Sequence, residues 1–515
     1  MSAGSWTEPG RRIVAGVYLL LFLGACAAAF RLIYPVRAGS VGFDAAASVI
    51  YFDRLIQGRH LESFVTATPK PLLTLVYGLV YNVTHDWRPI SWIVIVLYGA
   101  SSVLAAMLAR RIGGLPAAVF AGVAVIGSVA LLEDVALSYA VVWALVACLL
   151  AGLAISSNRP RYGWAGVALG VGALARFEVV LILGLAAVVL AGAWLYGRTR
   201  HVRGPDPRAW LVLVGLGALP IQFAHDWLLT GNALYAEYVP TVASVSLPLI
   251  GPGSAVVFVL QHLIKMGPFV VLAALGAAVL VRRRQWGLLI GLTAMGPGVA
   301  AFLVFLAYRR IYISNRYLDP IDLAVLVAAS IGFGALAIPE LVALGQRITT
   351  PAARALIVTL VAGSTAVLLS VPFAPTNNTV RVTIRGNLQV EEDAKEALPV
   401  LRRAVAAIPG VTDWPGALAG RPPVLMVPTL LRPQFVVDLG LPTTEVAGST
   451  GSRLRSDGTY PKAGQIIVHD QGADPDPAFD FLEVSTPITI GKIVVTPLLS
   501  DRTRGIWVDR IDAAP

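Results

Sequence analysis

The chain has 515 residues, of which 56% are hydrophobic and only 14% are charged, and its mean hydropathy is +0.73. This composition excludes an ordinary soluble domain and indicates a membrane protein. The formal net charge of +10 could suggest nucleic acid, but the basic residues fall between apolar runs, so we assign them to membrane topology and expect no nucleic-acid partner. Cys26 and Cys148 lie inside apolar runs and predict neither a disulfide framework nor a zinc site.

Eleven apolar runs approach the length of about 20 residues that an α-helix needs to cross a bilayer. In chain order they are Arg12–Ile33, Trp87–Leu108, Leu115–Leu131, Val135–Ile155, Gly163–Ala175, Val179–Leu195, Trp210–Leu229, Ser254–Val281, Trp286–Tyr308, Leu318–Ile338 and Ala355–Val371. A shorter run, Pro71–Tyr81, predicts a helix lying on the membrane surface. We therefore predict an all-α polytopic membrane protein with about 11 transmembrane helices.

Arginine residues predict the orientation of these helices. Every second connection is basic, as in Arg110–Arg111 and Arg282–Arg284, which places these connections and the N-terminus in the cytoplasm. The outer connections hold nearly all the acidic residues, but they also carry basic residues that the rule does not explain. Among them are Lys70, Arg88, Arg309, Arg310 and Arg316. Positive charge outside, close to the membrane, is consistent with an anionic ligand.

The composition changes at about Pro375. Short segments such as PVLMVP, QIIVHD and GKIVVTPLL predict strands, and VRVTI does so as well, whereas EEDAKEALPVLRRAVAAI predicts an amphipathic helix. We therefore divide the chain into a transmembrane module of residues 1–374, with a first outer loop at 34–86, and a small extracytoplasmic α/β domain of residues 375–515.

Five short segments carry a resemblance to a known superfamily. They are GFDAA with Asp44, PKPLL with Lys70, GVGALARFE ending at Glu178, DWLLTGNALY from Asp226, and NRYLDP with Arg316. In this order they resemble the GT-C superfamily of polytopic glycosyltransferases, in the bacterial branch of protein O-mannosyltransferases, lipid A aminoarabinose transferases and cell-wall arabinofuranosyltransferases. Phe177 and Ala233 stand where that branch has proline.

The resemblance implies a membrane transferase of the plasma membrane of a bacterium. It would move a sugar, arabinofuranose or mannose in many relatives, from a polyprenyl-phosphate donor to an extracytoplasmic glycan, lipid or protein acceptor. The lipid-linked sugar is then a co-substrate. A divalent cation stays open as a cofactor, because GFDAA has one acid where many relatives have two.

The resemblance gives Asp44 the role of catalytic base, because the acceptor hydroxyl must lose its proton as it attacks the anomeric carbon. The alternative is that Asp44 is only the N-cap of the following helix. A prenyl phosphate leaving group would need fixed cations near the lipid–water boundary. Candidates for this role are Lys70, Arg316, Arg309, Arg310 and Lys265. Snorkelling towards lipid head groups is the alternative for each of these cations.

Further ionisable residues are candidates for substrate contact. They are Arg176, Glu178, Asp53, His262, Glu133 and Asp134. Arg176 and Glu178 are two residues apart and would not pair on a helix face, so we predict a break in the helix or an ion pair with another residue. For Glu133 and Asp134 we favour a plain outer turn, and for Asp53 a solvated helix face. His262 and Lys265 would need partners if they lie in the membrane.

Two other classes of function remain open from the sequence. A secondary transporter would place ionisable residues near the membrane midplane and show internal repeats, which this sequence lacks. A non-enzymatic assembly or lipid-binding protein would use the outer domain and need Asp44 only as a cap. A cytoplasmic nucleotide-sugar donor is disfavoured, since the sequence has no phosphate-binding glycine loop.

Overall fold

The computed structural model describes the membrane module almost continuously and the C-terminal region in pieces. The described residues are 8–33, 41–61, 67–199, 207–235, 249–311, 313, 315–337, 399–401, 403, 425–428, 432–439, 446–449, 466–470, 487–490, 493–501 and 506–513. The predicted strand VRVTI and the predicted span Ala355–Val371 lie outside these residues, as does most of the predicted amphipathic helix.

The first part of the chain forms one apolar span and two shorter helices. Helix α1 (Glu8–Ile33) contains the first span, and it packs against α4 (Arg88–Ile126). Between them lie α2 (Phe43–Ile56) and α3 (Pro71–Thr84), which are amphipathic and pack on each other. The helix predicted at Pro71–Tyr81 is therefore present.

Helix α4 contains two predicted spans separated by a break. Gly114 inside it has φ 78° and ψ −166°, a backbone conformation that residues with a Cβ rarely adopt, and Pro116 follows. This break separates the runs predicted at Trp87–Leu108 and Leu115–Leu131. Next comes α5 (Val129–Ala136), a short helix capped by the Ser128 side chain, where the sequence predicted a plain turn.

The middle of the module consists of apolar helices. They are α6 (Val141–Ile155), α7 (Tyr162–Ala175), α8 (Val179–Thr199), α9 (Ala209–Leu216) and α10 (Ala218–Thr230). Helices α7 and α8 are separated by Arg176, Phe177 and Glu178, so the predicted break between two short runs is present. Helices α9 and α10 together form one apolar span of 22 residues.

The last described membrane helices include one pronounced bend. Helices α11 (Pro252–Met266) and α12 (Pro268–Arg282) meet at 91° around Gly267, where the sequence predicted one span at Ser254–Val281. Helices α13 (Trp286–Thr293) and α14 (Val299–Tyr308) are joined by a π-helical turn. A 3₁₀ turn, Asn315–Leu318, leads into α15 (Asp319–Gly332), which packs closely along α12.

The described helices that are long and apolar enough to cross a membrane are fewer than the 11 spans that the sequence predicted. Among the described residues, five helical segments are long and apolar enough to cross a membrane, or six if α11 and α12 form one broken span. Four further apolar helices are shorter than that criterion: Pro71–Thr84, Val141–Ile155, Tyr162–Ala175 and Val179–Gly192. The chain is thus a multi-pass membrane protein, while the count of 11 stays a prediction.

The C-terminal residues form a mixed sheet. Its strands are β1 (Leu425–Pro428), β2 (Val446–Ser449), β3 (Ile466–Asp470), β4 (Ile488–Ile490), β5 (Ile493–Asp501) and β6 (Ile506–Ala513). The order is β2-β1-β3-β6-β5-β4, with β2, β1 and β3 parallel and the remaining pairs antiparallel. The three predicted strand segments that fall in described residues correspond to β1, β3 and β5.

One short helix of this region contacts the membrane module. Helix α16 (Arg432–Leu439) packs against α2, and Val437 lies against the main apolar core. Phe435 and Val436 are buried. Helix α16 of the C-terminal region therefore packs against the helix that carries Asp44.

Candidate functional site

Asp44, Lys70 and Arg316 meet at one end of the helical bundle, and we call these three residues the Asp44 cluster. Lys70 Nζ lies 3.1 Å from Asp44 Oδ2, and Arg316 Nη1 lies 3.3 Å from the same oxygen. The side chains of Asp44 and Lys70 are 18% and 14% exposed, and that of Arg316 is 37% exposed. One carboxylate thus holds two cations at a partly open position.

The local structure of α2 places the Asp44 carboxylate. Gly42, not Asp44, is the N-cap of α2, and no side chain caps this helix end. The interpretation of Asp44 as a cap is therefore wrong. Asp44 lies in the first helical turn, where the helix dipole favours a negative charge. Its side chain forms ion pairs with the two cations.

Gly42 is required by a close approach of two chain segments. Its N–H donates to Leu137 O at 2.9 Å, and a Cβ at this position would lie 2.5 Å from that oxygen and 2.9 Å from the Tyr139 ring. The turn after α5 is held from the other side by Tyr77 Oη, which donates to Ser138 O at 3.1 Å. The glycine of GFDAA therefore lets α2 begin against this turn.

Lys70 is positioned by the start of α3. It is the N-cap residue of this helix, and Pro71 occupies the first helical position, where its lack of an N–H costs nothing. Lys70 Nζ also donates to Thr68 O at 3.2 Å. The preceding carbonyl, Pro69 O, accepts a hydrogen bond from Gln222 Nε2 at 3.4 Å. The Lys-Pro step thus fixes the ammonium group at a helix N-terminus beside Asp44.

Arg316 is held by an aromatic ring that the sequence interpretation did not select. Its guanidinium lies 4.1 Å from the centroid of the Tyr139 ring, within the range of a cation–π contact. Tyr139 N–H donates to Asp134 O at 2.9 Å, which fixes the turn that carries the ring. Tyr139 falls inside the predicted span Val135–Ile155, where an aromatic residue gives no signal of a functional site.

The charges of the cluster decide the protonation of Asp44. Burial alone would raise the pKa of its carboxyl group, but Lys70 and Arg316 outweigh burial and lower the pKa to about 2. Asp44 is therefore ionised throughout the physiological range. In this state it is ready to accept a proton, although the two cations reduce its basicity.

Arg176 and Glu178 form a salt bridge beside the cluster, with Nη2 and Oε1 2.9 Å apart. The prediction that they could not pair applied to a helix, and Arg176 is extended, with φ −146° and ψ 120°. Arg176 thus lies outside α7, and Phe177 and Glu178 form the turn that leads into α8, so the side-chain spacing of a helix does not apply to this pair. The Arg176 guanidinium also lies 5.5 Å from the centroid of the Tyr317 ring.

An apolar cavity begins at this salt bridge. Arg176 and Glu178 contribute to its lining, together with side chains of α6, α8, the π-helical turn, α14 and α15. A second apolar cavity is adjacent, because Cys148, Ile182 and Met295 line both. Ile155 and Gly287 also line the second cavity. The cluster therefore lies near two adjacent apolar cavities in the helical bundle.

The neighbouring acidic residues Glu133 and Asp134 lie in two different environments. Asp134 is 2% exposed and lies within hydrogen-bond distance of Asp319, which is also 2% exposed. The segment predicted to be a plain outer turn is instead helix α5, in which Asp134 is buried. Glu133 is half-buried on the same helix, near Arg316. Asp319 was not selected from the sequence, because an acid before proline at a helix start suggests only a favourable first-turn charge.

The remaining candidates lie apart from the Asp44 cluster. Asp53 accepts a hydrogen bond from Asn82 Nδ2 at 2.8 Å and so links α2 to α3 instead of facing solvent. His262 Nε2 contacts Asp322 Oδ1, which gives the histidine a partner on α15. Lys265, Arg309 and Arg310 are exposed at helix ends. In the described ranges, no group of three or more His, Cys, Asp or Glu residues is arranged to hold a metal ion.

Comparisons with known proteins identify the fold. No family model matches the chain, and no curated protein sequence matches it significantly. Among solved structures, the chain is similar to ArnT from Cupriavidus metallidurans in the apo state, with a TM-score of 0.56, 14% identity, and 96% of this chain and 98% of that chain covered. It is also similar to the same protein bound to undecaprenyl phosphate, with a TM-score of 0.53, 14% identity, and 96% and 97% covered. The chain thus shares the fold of these two structures, and the predicted polytopic, mostly helical architecture is confirmed.

Proposed function

We propose that this chain is a membrane glycosyltransferase that moves a sugar from a polyprenyl-phosphate donor to an acceptor outside the cytoplasm. The observation that carries the proposal is the convergence of Lys70 and Arg316 on Asp44, near an apolar cavity that Arg176 and Glu178 help to line. A prenyl-phosphate sugar has the matching chemistry, with an anionic head and a long apolar tail. The similarity in fold to ArnT, solved with undecaprenyl phosphate, supports the same class of lipid.

In this proposal Lys70 and Arg316 bind the donor phosphate. Both are basic groups at helix starts, where backbone N–H groups add partial positive charge. The prenyl chain then lies along the apolar cavity that begins at Arg176 and Glu178. The donor phosphate and the Asp44 carboxylate would compete for the same two cations. Donor binding is therefore expected to release the carboxylate and restore its basicity.

The transfer step follows from this arrangement. The acceptor hydroxyl gives its proton to Asp44 while its oxygen forms a bond to the anomeric carbon. The bond between that carbon and the phosphate oxygen breaks, and its electron pair stays on the phosphate. Lys70 and Arg316 stabilise the charge that develops on the leaving polyprenyl phosphate. Because the cations act on charge formed in the transition state, they are expected to affect rate as well as affinity.

We propose that the cluster faces the outside of the cell and that the N-terminus is cytoplasmic. Asp44, Lys70, Arg176 and Arg316 all come from connections predicted to be outer, which supports a single outer site. Single cysteines introduced after Arg200 and after Gly451 should react with an impermeant reagent from opposite sides of the membrane. Labelling of both from one side would contradict the orientation.

For residues 375–515 we propose a separate domain that binds or orients the acceptor and supplies no catalytic residue. The sugar is proposed to be a pentose or hexose used in cell-envelope glycan synthesis, with arabinofuranose and mannose as the first donors to test. A chain ending at Thr376 should still bind the lipid donor but use acceptor poorly. Because α16 packs on α2, the truncated chain must first be checked for folding.

The direct test is a transfer assay with the purified protein and defined polyprenyl-phosphate sugars. Product formation that requires both donor and acceptor would support a transferase. Binding of undecaprenyl phosphate without transfer of any sugar would favour a lipid-binding or assembly protein instead. Movement of substrate across vesicles under an ion gradient would favour a transporter.

A further inference from the structure

Two buried carboxyl groups form a pair next to the Asp44 cluster. Asp134 of α5 and Asp319 of α15 are each 2% exposed, and their carboxyl groups lie within hydrogen-bond distance of each other. The Oδ2 atom of each is buried and accepts no hydrogen bond from any donor in the described part of the chain. Two ionised carboxylates would repel each other in such a place, and a proton between them would supply the missing hydrogen bond.

The surroundings of the pair contain charges of both signs. Arg176 and Arg316 face it and favour ionisation, whereas Glu133 on α5 and Asp322 on α15 oppose it. Asp322 in turn contacts His262 of α11. Burial, the largest influence, raises the pKa of Asp134. These charges agree with a pair that keeps one proton and carries one negative charge in all.

The pair connects the two elements that hold Arg316. On one side, Asp134 O accepts from the N–H of Tyr139, whose ring lies under the Arg316 guanidinium. On the other side, Asp319 follows Arg316 by three residues, at the start of α15. A hydrogen bond between the two carboxyl groups therefore joins the turn that carries Tyr139 to the start of α15. This connection keeps the Tyr139 ring against the Arg316 guanidinium. Repulsion between two ionised carboxylates would drive these elements apart.

We propose that Asp134 and Asp319 are positioning residues that share one proton and thereby hold Arg316 and Tyr139 in place beside Asp44. Neither acid touches the Asp44 carboxylate, and both act through the arginine and the tyrosine. The positioning role rests on the proposed function in those tests that measure lipid binding or transfer. The shared proton itself is a property of the folded chain and can be detected without any substrate.

The first test is infrared spectroscopy of the full-length protein in lipid. The wild-type protein should show the C=O stretch of a protonated, buried carboxyl group, and this band should disappear in both Asp319→Asn and Asp134→Asn. Asp86, which is partly exposed and paired with Arg88, provides the control Asp86→Asn, which should leave the band unchanged. A wild-type spectrum without the band, or a band that both pair variants keep, would overturn the shared proton.

The second test follows the affinity for undecaprenyl phosphate between neutral and alkaline pH. The wild-type protein and Asp86→Asn should lose affinity by about tenfold for each pH unit once the shared proton leaves. Asp319→Asn should remove this loss, because the amide N–H donates to Asp134 without titrating. Asp319→Ala should bind roughly tenfold more weakly at every pH, since it removes the hydrogen bond.

The two tests separate the positioning role from the proposed function. If Asp319→Asn keeps the wild-type pH profile, or if Asp319→Ala binds as tightly as wild type, the positioning role is wrong. If no protein binds the lipid but the infrared band behaves as expected, the proposed function fails and the shared proton stands. Asp134→Asn repeats the binding test should Asp319→Asn not fold.

Discussion

Arginine side chains lie at both ends of the helical bundle, but they bond different partners at each end. At one end, Arg316 and Lys70 share the Asp44 carboxylate at a partly open position. At the other end, Arg111 Nη1 donates to Leu153 O and to Ser156 Oγ, and Arg283 Nη1 donates to Ile112 O. Helix α6 runs between them, since it begins beside Tyr139 and ends beside Ser156.

The difference separates structural cations from cations that can bind a ligand. Arg111 and Arg283 bond carbonyl groups near the C-terminal ends of helices, where the backbone carries partial negative charge and lacks donors. A ligand would have to replace these backbone contacts. Lys70 and Arg316 bond a side chain in the first turn of α2, which another anion can displace. Position in a basic connection alone does not distinguish these two uses.

The largest expected effect comes from removing the charge of Asp44. Asp44→Asn keeps the size of the side chain but cannot accept a proton, so turnover should fall by roughly 10²–10⁴-fold. The affinity for undecaprenyl phosphate should stay the same or increase, because Lys70 and Arg316 lose their competing anion. Turnover and lipid binding, measured on the same preparation, check this prediction. Near wild-type turnover would mean that another acid, among Glu133, Asp134 and Glu178, is the base.

Lys70 should show a smaller effect with a different pattern. Lys70→Ala removes a cation that contacts the phosphate both before and during transfer, so lipid affinity and turnover should both fall, each by roughly tenfold. Lys70→Arg is the matched variant, which keeps the charge and should retain part of both. Steady-state kinetics with lipid binding separate the two quantities. A loss of turnover alone would place Lys70 away from the phosphate.

The pH dependence of stability should reveal the ion pairs of Asp44. The pKa of its carboxyl is lowered on folding to about 2, from about 4 in the unfolded chain. Its stabilising contribution is therefore complete above pH about 4 and is lost as the pH falls towards 2. The difference in unfolding free energy between wild type and Asp44→Asn, up to about 2 kcal/mol, should shrink in this window. A constant difference across it would contradict the ion pairs.

Arg283 at the opposite end should have the smallest effect on activity. Arg283→Ala removes a hydrogen bond to a helix-terminal carbonyl, which costs about 1 kcal/mol of stability. Turnover and lipid affinity should remain within about twofold of wild type. Thermal unfolding and transfer assays of this variant beside Lys70→Ala check the comparison directly. Loss of lipid binding in Arg283→Ala would show that the two ends are not functionally distinct.

The sequence alone determined the membrane character of the chain and most of its elements. Apolar length and the positions of Gly and Pro predict spans because a bilayer demands internally satisfied backbone hydrogen bonds. The helix after Lys70, the break between α7 and α8 and three strands of the sheet followed from local pattern. The short segments around Asp44, Lys70 and Arg316 also marked the candidate site, because charge at a membrane boundary is costly and therefore informative.

Only the tertiary structure decided which charges meet. Arg316 lies 272 residues from Asp44, and no local pattern shows that these two side chains meet. The same holds for Asp319, whose significance comes from Asp134 on another helix, and for Tyr139, which matters because Arg316 lies over its ring. Local sequence sets the helix and the depth of a side chain, but its partner depends on how helices pack, and packing is a property of the whole chain.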